Sequence, residues 1–170
     1  MKTSKKISSG RFRESFGRYF EDFKEGEIYE HRPGRTITQS DNTWFTLLTM
    51  NQHPIHFDEE FGKGTEFGKT LVASPFTIAL MVGMSVSDVS HKAIANLGWT
   101  DILLPHPLFV GDTLYAESEV IKMRESKSAL IVPHLVTCSS LESNKVGKSS
   151  GSKPRALITI SALISKLESC

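Results

Sequence analysis

Cysteine is scarce in this chain of 170 residues, which carries only Cys138 and Cys170. Two cysteines are too few for a disulfide framework, so we expect structural thiols, a reducing compartment and a cytoplasmic location. No apolar run approaches the roughly 20 residues that a membrane-spanning helix needs, so we expect no membrane partner. Residues 1–11 are basic and serine-rich but lack an apolar core, which excludes a secretory signal. We expect a disordered tail over residues 1–18, with an organelle-targeting segment as the alternative.

An excess of either charge is also missing. Lysine and arginine number 20, aspartate and glutamate 19, and the net charge is +1. A nucleic-acid-binding surface usually brings a strong basic excess, so we expect no nucleic-acid partner. The weak charge repulsion is compatible with an oligomer. The length fits one domain, which we place at residues 19–170.

Two kinds of catalytic site lack their usual signals. No G-x-S-x-G motif surrounds a serine, and neither cysteine has a reactive setting, which argues against nucleophilic catalysis. His53 and His56 are spaced like half of a metal-ligand pair, with Asp58 close by, but Pro54 between them breaks the helix that would align the rings. A zinc site needs three or four converging ligands, so we expect no metal.

Helices are indicated in the first half of the chain. The spacing of apolar residues predicts one over 41–50, with Ser40 as its cap, and a short one over 58–64 begins at Asp58. The clearest covers 74-SPFTIALMVGMSVSDVS-90, where Ser74 suits the N-cap and a proline the first turn. Its apolar residues lie nearly all round, which predicts a helix buried on most sides.

Strands dominate the second half. Segments 27–31 and 35–38 predict short strands on either side of a Pro33-Gly34 turn. Stretches rich in β-branched and aromatic residues predict three long strands joined as a meander, and a polar Gly/Ser-rich stretch predicts a mobile loop between the second and the third. The three strands cover 107–123, 128–140 and 154–167, and the loop covers 142–153.

This order of elements indicates an α+β fold, in which a curved antiparallel sheet wraps a long buried helix. The third long strand should have an exposed edge, which is a liability unless another copy covers it. We therefore expect a homodimer or a higher oligomer.

The segment 49-TMNQHPIHFDEEF-61 could carry acid–base chemistry. His56 can hold or release a proton near neutral pH, and Asn51 is close enough to orient it across a turn stiffened by Pro54. The alternative is that His56 merely packs under a loop. The start of the long helix adds an amide, at Ser74 or just before it, that could stabilise negative charge on a thioester oxygen.

Together these residues resemble a known family. The block 51-NQHPIH-56, followed by Ser74 and the apolar helix, is similar to the D-x-N-P-[LIV]-H pattern of the MaoC-like (R)-specific enoyl-CoA hydratases. The segments 43-TWFTLLTMNQHPIHFD-58, 95-ANLGW-99, 107-PLFVGDTL-114 and 124-RESKS-128 resemble the subgroup that includes mesaconyl-CoA hydratase and β-methylmalyl-CoA dehydratase. The resemblance spans about residues 19–128.

The resemblance implies a single hot-dog domain that adds water to, or removes it from, a short or branched enoyl-CoA. His56 would be the acid/base residue, Asn51 its partner and the Ser74 N–H the oxyanion donor. Arg124 would contact a CoA phosphate or a substrate carboxylate, unless it is simply a solvated strand end, and Trp99 would limit the pocket. Coenzyme A would arrive as part of the substrate, with no other cofactor.

Asn51 stands where the family pattern usually has an aspartate. Unlike a carboxylate, its amide cannot accept a proton. His56 would then transfer the proton itself, aided by a carboxylate such as Asp41 or Asp58. Two alternatives stay open: a hot-dog acyl-CoA thioesterase, for which Asp88 late on the long helix is a poor match, and a non-catalytic acyl-CoA-binding protein.

Overall fold

A computed structural model describes residues 3–125, 130–141 and 156–164, with side chains up to residue 125. The predicted mobile loop at 142–153, and Cys170, lie outside the described residues. The elements in chain order are β1 (Thr3–Ser8), β2 (Arg11–Ser15), β3 (Ile28–Thr36), α1 (Gln39–Thr49), α2 (Glu59–Lys63), α3 (Ser74–Ser85), β4 (Ala93–Leu103), β5 (Thr113–Val120), β6 (Arg124–Glu125), β7 (Leu130–Leu141) and β8 (Ala156–Ile164).

One antiparallel sheet, in the order β3-β5-β7-β8-β4, packs against α3, and β6 pairs with β7. Helix α3 contacts β3, β5, β7 and β8, and its Met81 is buried in the core together with Ile37, Val72, Leu108 and Leu114. This α+β arrangement and the β5-β7-β8 meander confirm the predictions. None of the helices in the described part of the chain is both long and apolar enough to cross a membrane.

The edges of the sheet differ from the prediction. Strand β8, the third long strand, lies between β7 and β4, so the edges are β3 and β4. Strand β4 was not predicted, because bulges interrupt its pairing with β8 and break the alternation that marks a strand. The exposed edge that the sequence placed on β8 therefore falls on β4, at the end of the sheet.

Strand β3 is one strand where two were predicted. Pro33 and Gly34 form no turn; they lie in a register shift between His31 and Arg35 in the pairing with β5. A Cβ at Gly34 would come within 2.6 Å of the Tyr115 ring. The glycine therefore allows close packing inside the sheet. In a sequence, a Pro-Gly pair is more typical of a turn, and the turn predicted here was wrong for that reason.

Residues 3–15, predicted as part of a disordered tail, form a separate hairpin of β1 and β2. Gly10 has a φ of 69°, which a tight turn between two strands favours. The hairpin has few apolar residues, so its sequence resembles that of a disordered segment.

The N-cap residue of each main helix lies one or two positions before the predicted one. Helix α1 starts at Gln39, and its cap is Thr38, whose hydroxyl accepts from the Asp41 N–H while the Asp41 carboxylate accepts from the Thr38 N–H. Ser40 lies inside the helix. In α3 the N-cap is Ala73, which leaves Ser74 as the first helical residue.

The long helix is less enclosed than predicted. It continues past Ser85 into a π-helical turn, Val86–Ser90, so its extent agrees with the prediction. One stripe along it is exposed, at Ser74, Pro75, Ala79, Gly83 and Val86. The stripe is apolar apart from Ser74 and from Ser87, which is exposed beside Val86.

Candidate active site

The turn after α1 is built by Asn51. Met50 ends the helix with a φ of 57°, and the Asn51 N–H donates to the Thr46 carbonyl at 2.9 Å. The Asn51 Oδ1 then accepts from the His53 N–H at 3.2 Å. This side chain-to-backbone bond fixes the turn. The oxygen of Asn51 is thus engaged in the loop, while its amide nitrogen has no hydrogen bond to any residue that the structure describes.

His53 caps the short 3₁₀ turn Pro54–His56. Its Nδ1 accepts from the Ile55 N–H at 3.2 Å, and its ring lies edge-on to Phe61 at 5.9 Å between centroids. His53 is therefore part of the turn itself. Its ring centroid lies 6.0 Å from that of His56. Within the described part of the chain, no three His, Cys, Asp or Glu side chains converge as metal ligands would.

His56 is half-buried and held by its Nδ1, which lies 2.8 Å from the Leu71 carbonyl oxygen. A carbonyl oxygen only accepts, so Nδ1 must carry the hydrogen. In the neutral ring, Nε2 is then the unprotonated nitrogen, and none of the described residues bonds to it. This is the arrangement of a general base whose orientation is fixed by a backbone group.

The start of α3 presents one amide that has no acceptor in the part of the chain that the structure describes. The Ala73 N–H donates to the Asn42 Oδ1 at 3.0 Å, and the Phe76 and Thr77 N–H groups donate to the Ala73 carbonyl. Pro75 has no N–H. Among the described residues, none accepts from the Ser74 N–H. A free amide at a helix N-terminus favours a negative charge, so this N–H could serve as an oxyanion donor, a role that stays a prediction.

Asn42, on the buried face of α1, connects these two groups and was missed from sequence. It is fully buried and bonds to the backbone beside His56 and at the start of α3. Asparagine is a poor helix former, which was the one local signal that this position serves something other than the helix.

The two carboxylates considered as helpers of His56 are both engaged. The Asp58 Oδ1 accepts from the Glu60 and Phe61 N–H groups at 3.0 Å, which makes it the predicted cap of α2. Asp41 lies 2.7 Å from Arg35. Burial favours its neutral form, but the bonds from Thr38 and the Arg35 charge prevail and lower the pKa of the carboxyl.

Asp88, the carboxylate considered as a poor match for a thioesterase, lies in the π-helical turn beyond α3. It forms an ion pair with Arg18 at 3.0 Å, and the Arg18 guanidinium lies 4.1 Å from the centre of the Tyr29 ring. These contacts give Asp88 a structural partner at the opposite end of α3 from Ser74.

Trp99 and Arg124, the predicted substrate contacts, are not brought to His56 within the described residues. Trp99 lies on β4 and is 49% exposed. Arg124 is exposed on β6, opposite Ile131 of β7. No hydrogen bond or ring contact links either side chain to the segment around His56 in the part of the chain that the structure describes.

Solved structures define the class of fold. A monoamine oxidase regulatory protein from Archaeoglobus is 28% identical, with a TM-score of 0.73 over 89% of this chain and 96% of that one. A Mycobacterium tuberculosis protein described as a double hotdog fold is 17% identical, with a TM-score of 0.72 over 91% of this chain and 46% of that one. The chain therefore has the hot-dog fold.

The chain belongs to the MaoC-like domain family, whose model matches residues 22–137. A curated relative, mesaconyl-CoA hydratase of Cereibacter sphaeroides, is 33% identical over 112 residues. That match covers 66% of this chain but only 33% of the relative, so the chain spans about a third of the relative's length.

Proposed function

We propose that this protein is a hydro-lyase that adds water to, or removes it from, the double bond of an enoyl-CoA thioester. The observation that carries the proposal is the bond between the His56 Nδ1 and the Leu71 carbonyl. This bond leaves the His56 Nε2 as a proton acceptor. Asn42 joins the backbone of His56 to that of Ala73, next to Ser74, whose N–H has no acceptor among the described residues. Family membership supports the proposal, as does the relative named mesaconyl-CoA hydratase.

In the forward direction the His56 Nε2 takes a proton from a water molecule, whose oxygen bonds to the β-carbon of the enoyl group. The electron pair of the double bond moves toward the thioester, and the Ser74 N–H stabilises the negative charge on its oxygen. His56 then returns the proton to the α-carbon, so one water is added with no net gain or loss of protons. Asn51 donates a hydrogen bond that orients the water.

One assay separates this function from the two alternatives. The protein is incubated with crotonyl-CoA and with mesaconyl-CoA, and loss of the enoyl absorbance is followed beside release of free thiol. Loss of absorbance without thiol is the expected result. Thiol release would identify a thioesterase instead, and binding of the esters with neither change would identify a non-catalytic acyl-CoA-binding protein.

Asn51→Asp tests whether the amide limits turnover. A carboxylate oxygen can still accept from the His53 N–H, so the turn should persist. Because aspartate can also accept a proton, which the amide cannot, we expect a higher kcat, measured as initial rates with crotonyl-CoA at neutral pH.

Asn51→Ser is the control, because a hydroxyl can accept from the same N–H without adding charge. Because a hydroxyl is no better a proton acceptor than the amide, this variant should not raise kcat. A sharp loss of activity in Asn51→Asp would contradict the expectation and would mean that the site is built around a neutral partner.

For the substrate, we propose a short or branched acyl group, with Arg124 binding a CoA phosphate or a substrate carboxylate and Trp99 limiting the pocket. Arg124→Gln should raise KM for mesaconyl-CoA and leave kcat close to its original value, because a remote charge contact acts on binding. Steady-state kinetics on both test esters checks this. An unchanged KM for both would make Arg124 a solvated strand end.

We also propose a homodimer. The edge strand β4 carries exposed Ile94, Leu97, Trp99 and Leu103, and the stripe on α3 is exposed and mostly apolar. Surfaces of this kind mark interfaces. One structural neighbour is described as a double hotdog, and this chain covers 46% of it, so a second copy would replace its other half. Light scattering after size exclusion tests this, and a monomer at micromolar concentration would contradict it.

A further inference from the structure

Asn42 uses every hydrogen-bonding group of its side chain on the backbone of the candidate site. Its Nδ2 donates to the His56 carbonyl at 2.7 Å and to the Leu71 carbonyl at 2.9 Å. Its Oδ1 accepts from the Ala73 N–H at 3.0 Å, and the residue is fully buried. A single carboxamide thus joins the segment that carries His56 to the segment that begins α3.

Gln39, one helical turn before Asn42, makes a similar pair of bonds. Its Nε2 donates to the same His56 carbonyl at 3.2 Å, and its Oε1 accepts from the Thr70 hydroxyl at 3.2 Å. Residues three apart lie on one face of a helix, so α1 presents both carboxamides to the site. The His56 carbonyl is therefore held from one side by two donors.

We propose that Asn42 is a positioning residue that holds the His56 ring against the Leu71 carbonyl and makes Ser74, rather than Ala73, the free amide at the start of α3. The proposal rests on the hydro-lyase function for its catalytic meaning. Asn42 touches neither the reacting nitrogen nor the oxyanion donor and acts through the backbone that carries them.

The bond pattern shows how this works. The Leu71 carbonyl accepts from both Asn42 and the His56 Nδ1, so it lies at the junction of helix, loop and imidazole. The loop is fixed from the other side by the Leu71 N–H, which donates to the Ile55 carbonyl at 2.9 Å. Because Asn42 occupies the Ala73 N–H, a developing oxyanion would find its donor one residue further on, at Ser74.

The alternative is that Asn42 merely anchors α1 to the core. A buried carboxamide with all its partners contributes to stability in any setting, and removing it leaves unsatisfied groups that cost about 1–3 kcal/mol each. The two explanations differ in what they predict for the folded protein, since an anchor affects unfolding while a positioning residue affects the His56 ring and the turnover number.

The test replaces Asn42 with leucine, which has a similar shape and no polar atoms, in protein labelled with ¹⁵N-histidine. In the unchanged protein the His56 Nδ1–H should give a slowly exchanging NMR signal, because it is hydrogen-bonded and half-buried. In Asn42→Leu we expect that signal to be lost to exchange. We also expect kcat with crotonyl-CoA to fall about 10²-fold with little change in KM, because small misplacements of a catalytic group cost about that much.

Thr46→Val is the matched control. Thr46 is also buried on α1, one turn after Asn42, and its hydroxyl donates to the Thr43 carbonyl of its own helix. This variant should keep both the His56 signal and the original kcat. If Asn42→Leu does not fold, Asn42→Ser decides, because its short hydroxyl cannot donate to both carbonyls; it should show faster exchange and a lower kcat.

The proposal is overturned if the His56 signal persists and kcat is unchanged in a folded Asn42 variant. The NMR measurement needs no substrate. A protein that hydrates neither test ester would therefore refute the proposed function, while the exchange of the His56 Nδ1–H would still decide whether Asn42 holds the ring.

Discussion

Replacing His56 with asparagine should lower hydration of crotonyl-CoA by about 10²–10⁴-fold while the fold survives, since proton transfer by a positioned side chain typically contributes that much. The asparagine Nδ2 can take the place of the imidazole Nδ1 as donor to the Leu71 carbonyl. What is lost is the nitrogen at the Nε2 position. The measurement is kcat/KM, with circular dichroism to confirm the fold.

His53→Asn is the matched control for this substitution. Asparagine is a good N-cap, so it can replace the His53 Nδ1 as acceptor for the Ile55 N–H and keep the 3₁₀ turn. Activity should remain close to that of the unchanged protein. If His56→Asn retains activity within roughly tenfold, His56 is not the acid/base residue, whatever its geometry.

Replacing Ser74 with proline should lower kcat by about 10²–10³-fold, the usual cost of removing one oxyanion donor. Proline has no N–H and is favoured at the first position of a helix, which Ser74 occupies in α3. The preceding residue, Ala73, has φ −62° and ψ 127°, an extended conformation that a following proline accepts. The substitution therefore removes the amide with little strain on the backbone.

Ser74→Ala is the control, because it removes the hydroxyl and keeps the N–H. It should retain kcat within a few-fold of the original. If alanine lowers activity as much as proline does, the hydroxyl carries the effect and the amide is not the donor. Thermal unfolding of both variants separates a loss of catalysis from a loss of fold.

The elements that could be predicted from sequence are those with a strong local signal. Helix α3 has a long apolar run with a proline in its first turn, and β5, β7 and β8 are separated by clear turn residues. Strand β4 and the bulge at Gly34 were missed because both depend on a neighbouring strand. Nothing within residues 93–103 marks the partner that makes them a strand.

The site was partly predictable for the same reason. His56 and His53 lie in one short turn, so their different uses could be inferred from Pro54 and the family pattern. Asn42 could not, since its bonds reach residues 14 to 31 positions away. The buried face of α1 is also hard to infer from sequence. Its apolar Trp44, Leu47 and Leu48 are exposed, and its polar Asn42 and Thr46 are buried. An apolar stripe normally indicates the core-facing side, and here it points away.

The proposed acid/base histidine, the carboxamides that hold its backbone and the proposed oxyanion amide all come from one continuous stretch, residues 39–74, which contributes no strand to the main sheet. The residues that build the main sheet and the residues proposed to carry the chemistry therefore lie in different parts of the chain. Substitutions in this stretch should remove the proposed reaction without disturbing strand pairing. In a protein such as the neighbour described as a double hotdog fold, one domain can therefore keep its sheet after losing the residues of such a site.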